Sequence, residues 1–278
     1  MIKVICTDLD GTLLHSDKTV SEYSLKMLEK MIKSGIEIIP VTGRHLGGIP
    51  KEILSLDINY AICANGASLY DVKKKRLIKA EFIEKDILLE MVSLCEKYEV
   101  MSDIFSGDYA YTDNRCIEIL KDVNASEAVK NYIKQSRKKI DSIKKFIEEK
   151  NPDVQKITMN FRYLNGEYKN REKMAETLKK YDMLTAVTGG ANNIEVTSSK
   201  ATKGNCMRYI SKMLGISLED FFAIGDTEND ISMLETAGQS CAMKNADENV
   251  KKICKYVTEE DNDSDGAVKM MIKIAGVS

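Results

Sequence analysis

Strand and helix patterns alternate at both ends of this 278-residue chain, around a middle of different texture. IKVICTDL (2–9) is apolar and β-branched enough for a strand buried on both faces. Thr19 or Ser21 can cap a helix whose Leu25, Leu28 and Ile32 share one face, closed by Gly35. IEIIPV (36–41) and YAICA (60–64) read as further strands, with Pro40 tolerable only near a strand end. After residue 80, charged helical stretches at 84–98, about 126–150 and 169–181 alternate with KITMNFRY (156–163) and NNIEVTS (192–198). The earlier rhythm then resumes: TKGNCMRYISKMLG helical, FFAIGD a strand, NDISMLETAG helical, SCAM and KYVT strands. This order predicts an α/β fold, one parallel sheet over 1–83 and 191–278 interrupted by a second domain over 84–190.

Chemistry gathers at the ends of these strands. DLDGTLL (8–14) follows the first, and open parallel sheets form their sites at the carboxyl ends of strands. Asp8 and Asp10 place two carboxylates there, with Gly11 allowing a tight turn; a plain Asx turn explains DG equally well. Other residues tip the balance. VTGR (41–44) ends a strand with the hydroxyl of Thr42 and a flexible Gly43. Lys203 stands at a helix start, where a cation and free N–H groups favour an anion. GDTEND (225–230) adds Asp226 and Asp230. Acidic oxygens suit a hard cation such as Mg²⁺, and lysine with threonine suits a phosphate.

These strings, with CANGA (63–67), TKGN (202–205), GDTENDISML (225–234) and CAMKNA (241–246), closely resemble the Cof-type branch of the haloacid dehalogenase-like phosphatases. The 158 residues between Arg44 and Lys203 leave room for a cap domain at the second insertion site, type IIB in that family. The resemblance implies a doubly wound, Rossmann-like core with an inserted α+β cap, and phosphate-ester hydrolysis through an aspartyl phosphate. It makes Asp8 the nucleophile and Asp10 the general acid and base. Mg²⁺ falls to Asp8, Asp226 and Asp10, the last through its backbone carbonyl or its side chain. Leu9 (backbone), Thr42, Gly43, Lys203 and Asn229 hold the phosphoryl group; Asp230 supports the metal shell and Lys203, and Arg44 and Asn65 lie near the substrate. The implied substrate is a small phosphorylated metabolite, a sugar phosphate first, then flavin mononucleotide or pyridoxal phosphate. The alternatives are a phosphomutase on the same core and a non-enzymatic phosphate-binding regulatory module. The family pattern is departed from at Pro40, at the Gly47, Gly48 and Pro50 that make the next helix late or irregular, and at the glycine-free 71–76 turn.

Other classes are excluded by composition. Net charge is −2 and the middle segment balances 19 Lys and Arg against 19 Asp and Glu, so Arg137-Lys138-Lys139 and Lys144-Lys145 read as solvated helix faces, not a nucleic-acid surface. No apolar run nears the ~18 residues of a membrane span. Seven cysteines without a CxxC read as reduced thiols of a cytoplasmic protein, Cys6 and Cys63 as small buried residues. Met213, Met233, Met270 and Met271 fall at helical core spacing, and His15 reads as an exposed loop histidine, with His45 left without a role. DNDSDG (261–266) mimics half an EF-hand, but Ile272 stands where calcium needs a bidentate Glu, so the stretch reads as a cap of the last helix.

Overall fold

The structure, a computed structural model, describes residues 1–188 and 192–277. Strand β1 (Val4–Thr7) is buried at every position. Ser21, not Thr19, caps α1 (Glu22–Lys33), its hydroxyl accepting from the Ser24 amide. β2 (Glu37–Pro40) and the short α2 (Lys51–Leu54) lead into an antiparallel trio, β3 (Tyr60–Cys63), β4 (Ser68–Asp71) and β5 (Arg76–Ala80). Pro40 is the last residue of β2. The amide of Glu37 donates to the Lys3 carbonyl just before β1 and that of Val41 to the Thr7 carbonyl at its end, so position 40 faces the other way. β3 is met only at the Val41–Ile62 bridge, so the missing N–H breaks no ladder. In the turn without glycine, Lys75 takes the left-handed conformation at φ 49°.

The inserted segment runs α3 (Lys85–Lys97), β6 (Met101–Ser106), β7 (Tyr109–Asp113), α4 (Asn114–Leu120), α5 (Glu127–Ser136), β8 (Arg137–Ile140), α6 (Ile143–Lys150) and β9 (Val154–Asn160). It continues through β10 (Tyr163–Leu164), β11 (Glu167–Tyr168), α7 (Arg171–Leu178), β12 (Leu184–Val187) and β13 (Asn193–Ser198). Six of these strands form one sheet in the order β12-β13-β9-β6-β7-β8. Two sequence expectations change here. The helical stretch over 126–150 is cut by β8, an edge strand whose Arg137 is buried against Asp103 while Lys138 and Lys139 stay exposed, as edge strands favour. Residues 193–198, read with the core, pair with β9 and β12 and complete the inserted sheet. Contacts accordingly divide the chain into one unit of residues 1–80 and 202–278 and another of 81–201.

The first unit resumes with α8 (Lys203–Leu214), β14 (Phe221–Gly225), α9 (Ile231–Leu234), β15 (Gln239–Ala242), α10 (Glu248–Ile253), β16 (Tyr256–Val257) and α11 (Gly266–Ala275). Its sheet is parallel throughout, ordered β16-β15-β14-β1-β2. From β1 the chain steps to β2 on one side and later returns to β14 on the other. The carboxyl ends of β1 and β14 therefore flank the point where the strand order reverses, where such sheets open a crevice.

Several smaller expectations are corrected. Met233, Met270 and Met271 are buried, but Met213 is 40% exposed. His15 is half-buried, its Nε2 3.3 Å from the Asp265 carboxylate. Asp265 does not cap α11 with its side chain. It accepts instead from the hydroxyls of Ser21 and Ser24, and Asp263 accepts from the Ser16 amide and hydroxyl, so the acidic loop ties the start of α1 to the last helix. Six of the seven free cysteines, Cys6 and Cys63 among them, are buried. Among the described residues no helix is long and apolar enough to cross a membrane.

That acidic tie sets a pH test. Burial pushes the Asp265 carboxyl up, but hydrogen bonds from Ser21, Ser24 and His15 outweigh it and hold the group below its ordinary 3.8. A depressed acid stabilises the fold above its unfolded-state value and loses that contribution as pH falls through the folded-state value. Asp265→Asn should therefore cost about 1 kcal/mol in urea melts at pH 7. The gap to the parent should shrink as pH is lowered past about 4, and a gap constant down to pH 3 would remove the carboxylate's charge from the account.

Candidate active site

Asp8 and Asp226 each stand one residue beyond a strand, β1 and β14, and the Asp8 amide donates to the Ile224 carbonyl at 3.0 Å. Gly11 lets the loop after β1 close over this point. Its φ is +84°, and a Cβ there would lie 2.3 Å from Asp226 Oδ2. The next residue, Thr12, donates its hydroxyl to Asp226 Oδ1 at 3.0 Å. Thr202 caps α8, which brings Lys203 into the crevice with no exposure at all. Its Nζ lies 2.6 Å from both Asp8 Oδ1 and Asp230 Oδ1. Asp230 spends its other oxygen on the amides of Asp226 and Thr227, at 2.9 and 3.1 Å.

The electrostatics follow from burial. Asp8 is pushed up to about 7, by burial first and then by Asp230 and Asp10, against the pull of Lys203. Asp226 is raised well above the usual carboxylate range by burial and by the charges of Asp8 and Asp230. Lys203 is buried too, which alone would lower it, yet Asp230 and Asp8 hold it protonated well above its ordinary value. Carboxylate oxygens of Asp8, Asp226 and Asp230 fall within 4.8 Å of one another, and a single ammonium does not balance three charges. Asp230 is saturated by Lys203 and two amides. Asp8 and Asp226 each keep a second oxygen that accepts nothing among the described residues. A hard dication fits those two oxygens.

The Asp10 side chain is engaged by two cations. Its carboxylate takes Arg44 in a fork, Nε at 2.6 and Nη2 at 2.7 Å, and Lys18 at 2.9 Å. Burial pushes it up, but Arg44 and Lys18 prevail and hold it well below the usual range. Its side chain is thus committed away from the acidic cluster, and only its backbone carbonyl is left for a metal. Arg44, expected near the substrate, is 6% exposed, and its third contact is the Gly48 carbonyl at 2.8 Å.

The remaining residues are linked by backbone and side-chain hydrogen bonds. Thr42 is buried and its Oγ1 accepts from the Arg44 amide at 3.1 Å, leaving its own proton to donate; Gly43 lies in the same turn. The Asn65 amide donates to the Thr42 carbonyl, and Asn65 sits left-handed at φ 57°. Its Oδ1 accepts from Asn229 Nδ2 at 3.3 Å, and Asn229 Oδ1 accepts from the Thr227 hydroxyl at 3.0 Å. Gly66 allows this turn to meet α8, since a Cβ there would lie 2.2 Å from the Thr202 carbonyl. Leu9 is fully buried, and its carbonyl closes the turn to Thr12 and Leu14. Thr12, Lys18, Thr227 and Asn245, which donates to the Gly11 carbonyl at 2.8 Å, were not singled out from sequence. Thr12 and Asn245 lie inside DLDGTLL and CAMKNA, and Thr227 inside GDTEND; Lys18 has no such signal.

The chain is similar to known proteins over nearly its whole length. The sequence pattern of the haloacid dehalogenase-like hydrolases matches residues 5–271. Phosphatase YwpJ of Bacillus subtilis (strain 168) is 33% identical, covering 97% of this chain and 99% of its own. A solved haloacid dehalogenase-like hydrolase from B. subtilis superposes with a TM-score of 0.84 at 32% identity, over 97% of this chain and 99% of that one. The subclass IIB sugar phosphatase BT4131 gives a TM-score of 0.79 at 25% identity, over 99% and 100%.

Asp230→Ala tests the anchoring inferred for this cluster. It takes one carboxylate from buried Lys203 and leaves two amides without their acceptor. The loss should be about 3–5 kcal/mol in denaturant melts, as for other broken buried ion pairs. A loss below about 1 kcal/mol would mean that the cluster is not held together by Asp230.

Proposed function

The chain belongs to the haloacid dehalogenase-like hydrolase family and is a phosphoric monoester hydrolase; from that premise we propose a Mg²⁺-dependent phosphatase of small phosphorylated metabolites working through Asp8. The observation that carries this reading is the placement of Asp8 at the strand-order reversal, paired with Lys203 and facing Asp226. Attack by an Asp8 oxygen on phosphorus forms an aspartyl phosphate and releases the alcohol. Water then cleaves the acyl phosphate, restores Asp8 and leaves inorganic phosphate. Splitting the hydrolysis in this way replaces one difficult step with two easier ones.

A phosphate dianion and a carboxylate repel each other, and Lys203 offsets part of that repulsion. Mg²⁺ held by Asp8, Asp226 and the Asp10 carbonyl would supply the rest of the charge compensation. Thr42, with its free hydroxyl proton, the amides of Leu9 and Gly43, and Asn229 are the candidate donors to the phosphoryl oxygens. Asp230 acts by positioning Lys203. Asp10 is the candidate acid and base for the alcohol and for water. It must leave Arg44 and Lys18 to do so, because both hold it ionised where it stands. The sugar phosphatase among the structural relatives supports sugar phosphates as the first substrates to try.

Release of inorganic phosphate from a panel of metabolite phosphates tests the reading and separates it from a phosphomutase, which returns the phosphoryl group to the substrate. Asp8→Asn should fold and release no phosphate. Asp10→Asn should slow turnover by about 10²–10⁴-fold. Chelation should abolish activity and added Mg²⁺ restore it. Full turnover in excess chelator, or by Asp8→Asn, would overturn the proposal.

A further inference from the structure

A cavity of about 550 Å³ lies within the inserted unit, lined entirely by residues between 96 and 162. A volume of this size holds a small metabolite. Four carboxylates and three cations line it, and most of them answer one another. Arg162 spans from Glu99, at 3.0 Å, to Asp122, at 2.7 Å, and Lys121 pairs with Glu118. Glu99 takes the left-handed backbone at φ 53°, a conformation that favours glycine. Such a residue persists where its surroundings enforce it, and here the ion pair with Arg162 holds its side chain.

Two charges of opposite sign are left over. Arg115 is half-buried. Its Nη1 donates to the Val100 carbonyl at 2.9 Å, and its Nη2 to Ser102 Oγ and Cys116 Sγ, both at 3.3 Å. Among the described residues no carboxylate pairs with it, and its buried Nε donates to nothing. A guanidinium drawn out of water is ordinarily given an acid. Glu96 lines the same cavity and makes neither an ion pair nor a hydrogen bond among the described residues. One cation and one anion thus share the cavity without neutralising each other.

We infer that this cavity binds an α-amino acid with an uncharged side chain, its carboxylate on Arg115 and its ammonium on Glu96. Charge-assisted hydrogen bonds at both ends are the strong kind. A phosphate or a dicarboxylate would bring a second negative charge among four carboxylates that already outnumber the cations. A simple cation would leave Arg115 unanswered. Ile119, 6% exposed, is the apolar residue of the lining, and the other charges are paired, so nothing is left to answer a charged side chain. Binding here does not depend on the phosphatase reading.

Titration calorimetry on the full chain tests this with the L-amino acids of uncharged side chain, and with the N-acetyl and carboxamide forms of any that binds. Each blocked form lacks one of the two charges and should bind at least about tenfold more weakly, as expected for one lost charge-assisted contact. Glu96→Gln lies at an exposed position, so it should melt like the parent and bind the free amino acid about tenfold more weakly. Arg115→Gln should weaken binding at least as much, and Glu96→Gln carries the test if that variant does not fold. Absence of heat from every free amino acid at about 10 mM, enough to fill a millimolar site, overturns the inference. So does equal affinity for free and blocked forms, unchanged affinity in Glu96→Gln, or binding of inorganic phosphate that displaces the amino acid from the parent and is lost with Arg115.

Discussion

The buried ammonium of Lys203 is the contact on which the rest of the first unit depends. Three carboxylates converge where β1 and β14 end, and among the described residues Lys203 is the cation placed 2.6 Å from two of them. Without it, Asp8 and Asp230 would be unpaired charges with 5% and 0% exposure, an arrangement proteins avoid at a cost of several kcal/mol. The fold delivers the lysine through the first turn of α8, and the contacts at Gly66 and Gly204 bring that turn in. A Cβ at Gly204 would lie 2.1 Å from the Ser232 carbonyl. Close backbone approach and charge pairing therefore share one constraint: the loops must come near enough for a single ammonium to reach both acids.

Environment divides the labour between two carboxylates separated by one residue. Asp8 is buried among like charges and is pushed up to about 7; Asp10, two positions on, is held low by a guanidinium fork and an ammonium. Groups of one chemical type driven to opposite protonation tendencies are a recurrent mark of acid–base sites. The same fork commits Arg44 as well: its Nε and Nη2 are both spent on the Asp10 carboxylate, so the two side chains hold each other in place.

The strand ends and the acids on them were legible in the sequence because they follow local rules. A β-branched run ending in Asp-x-Asp-Gly names its own turn, and Thr202 before Lys203 marks a helix start. The side-chain partners were not legible, because they depend on how loops meet. Nothing near Asp10 says that Arg44, 34 residues away, closes on it, and Lys18 belongs to no string. Asp265 reads as a cap from its position before a helix, yet its partners are serines 241 and 244 residues earlier in the chain. Likewise Arg137-Lys138-Lys139 carries helix-compatible charge, and only pairing with β7 turns it into an edge strand.

Alternation in the inserted strands posed a subtler problem. In KITMN, Lys156, Thr158 and Asn160 interleave with Ile157 and Met159, and the period of two correctly divides them between opposite faces. Alternation also suggests that the polar face is solvated, and there it misleads, since Lys156 is 1% exposed. Period reports the direction of a side chain, not what lies over it. A buried polar face has to be matched group for group; here Arg137 meets Asp103 and Lys156 meets Glu195, while Thr158 Oγ1, Asn160 Nδ2 and the second oxygen of Asp103 find no hydrogen bond among the described residues. Apolar strands can tolerate imprecise packing at modest cost. A buried face of donors and acceptors cannot, because each group left without a partner costs about 1–3 kcal/mol.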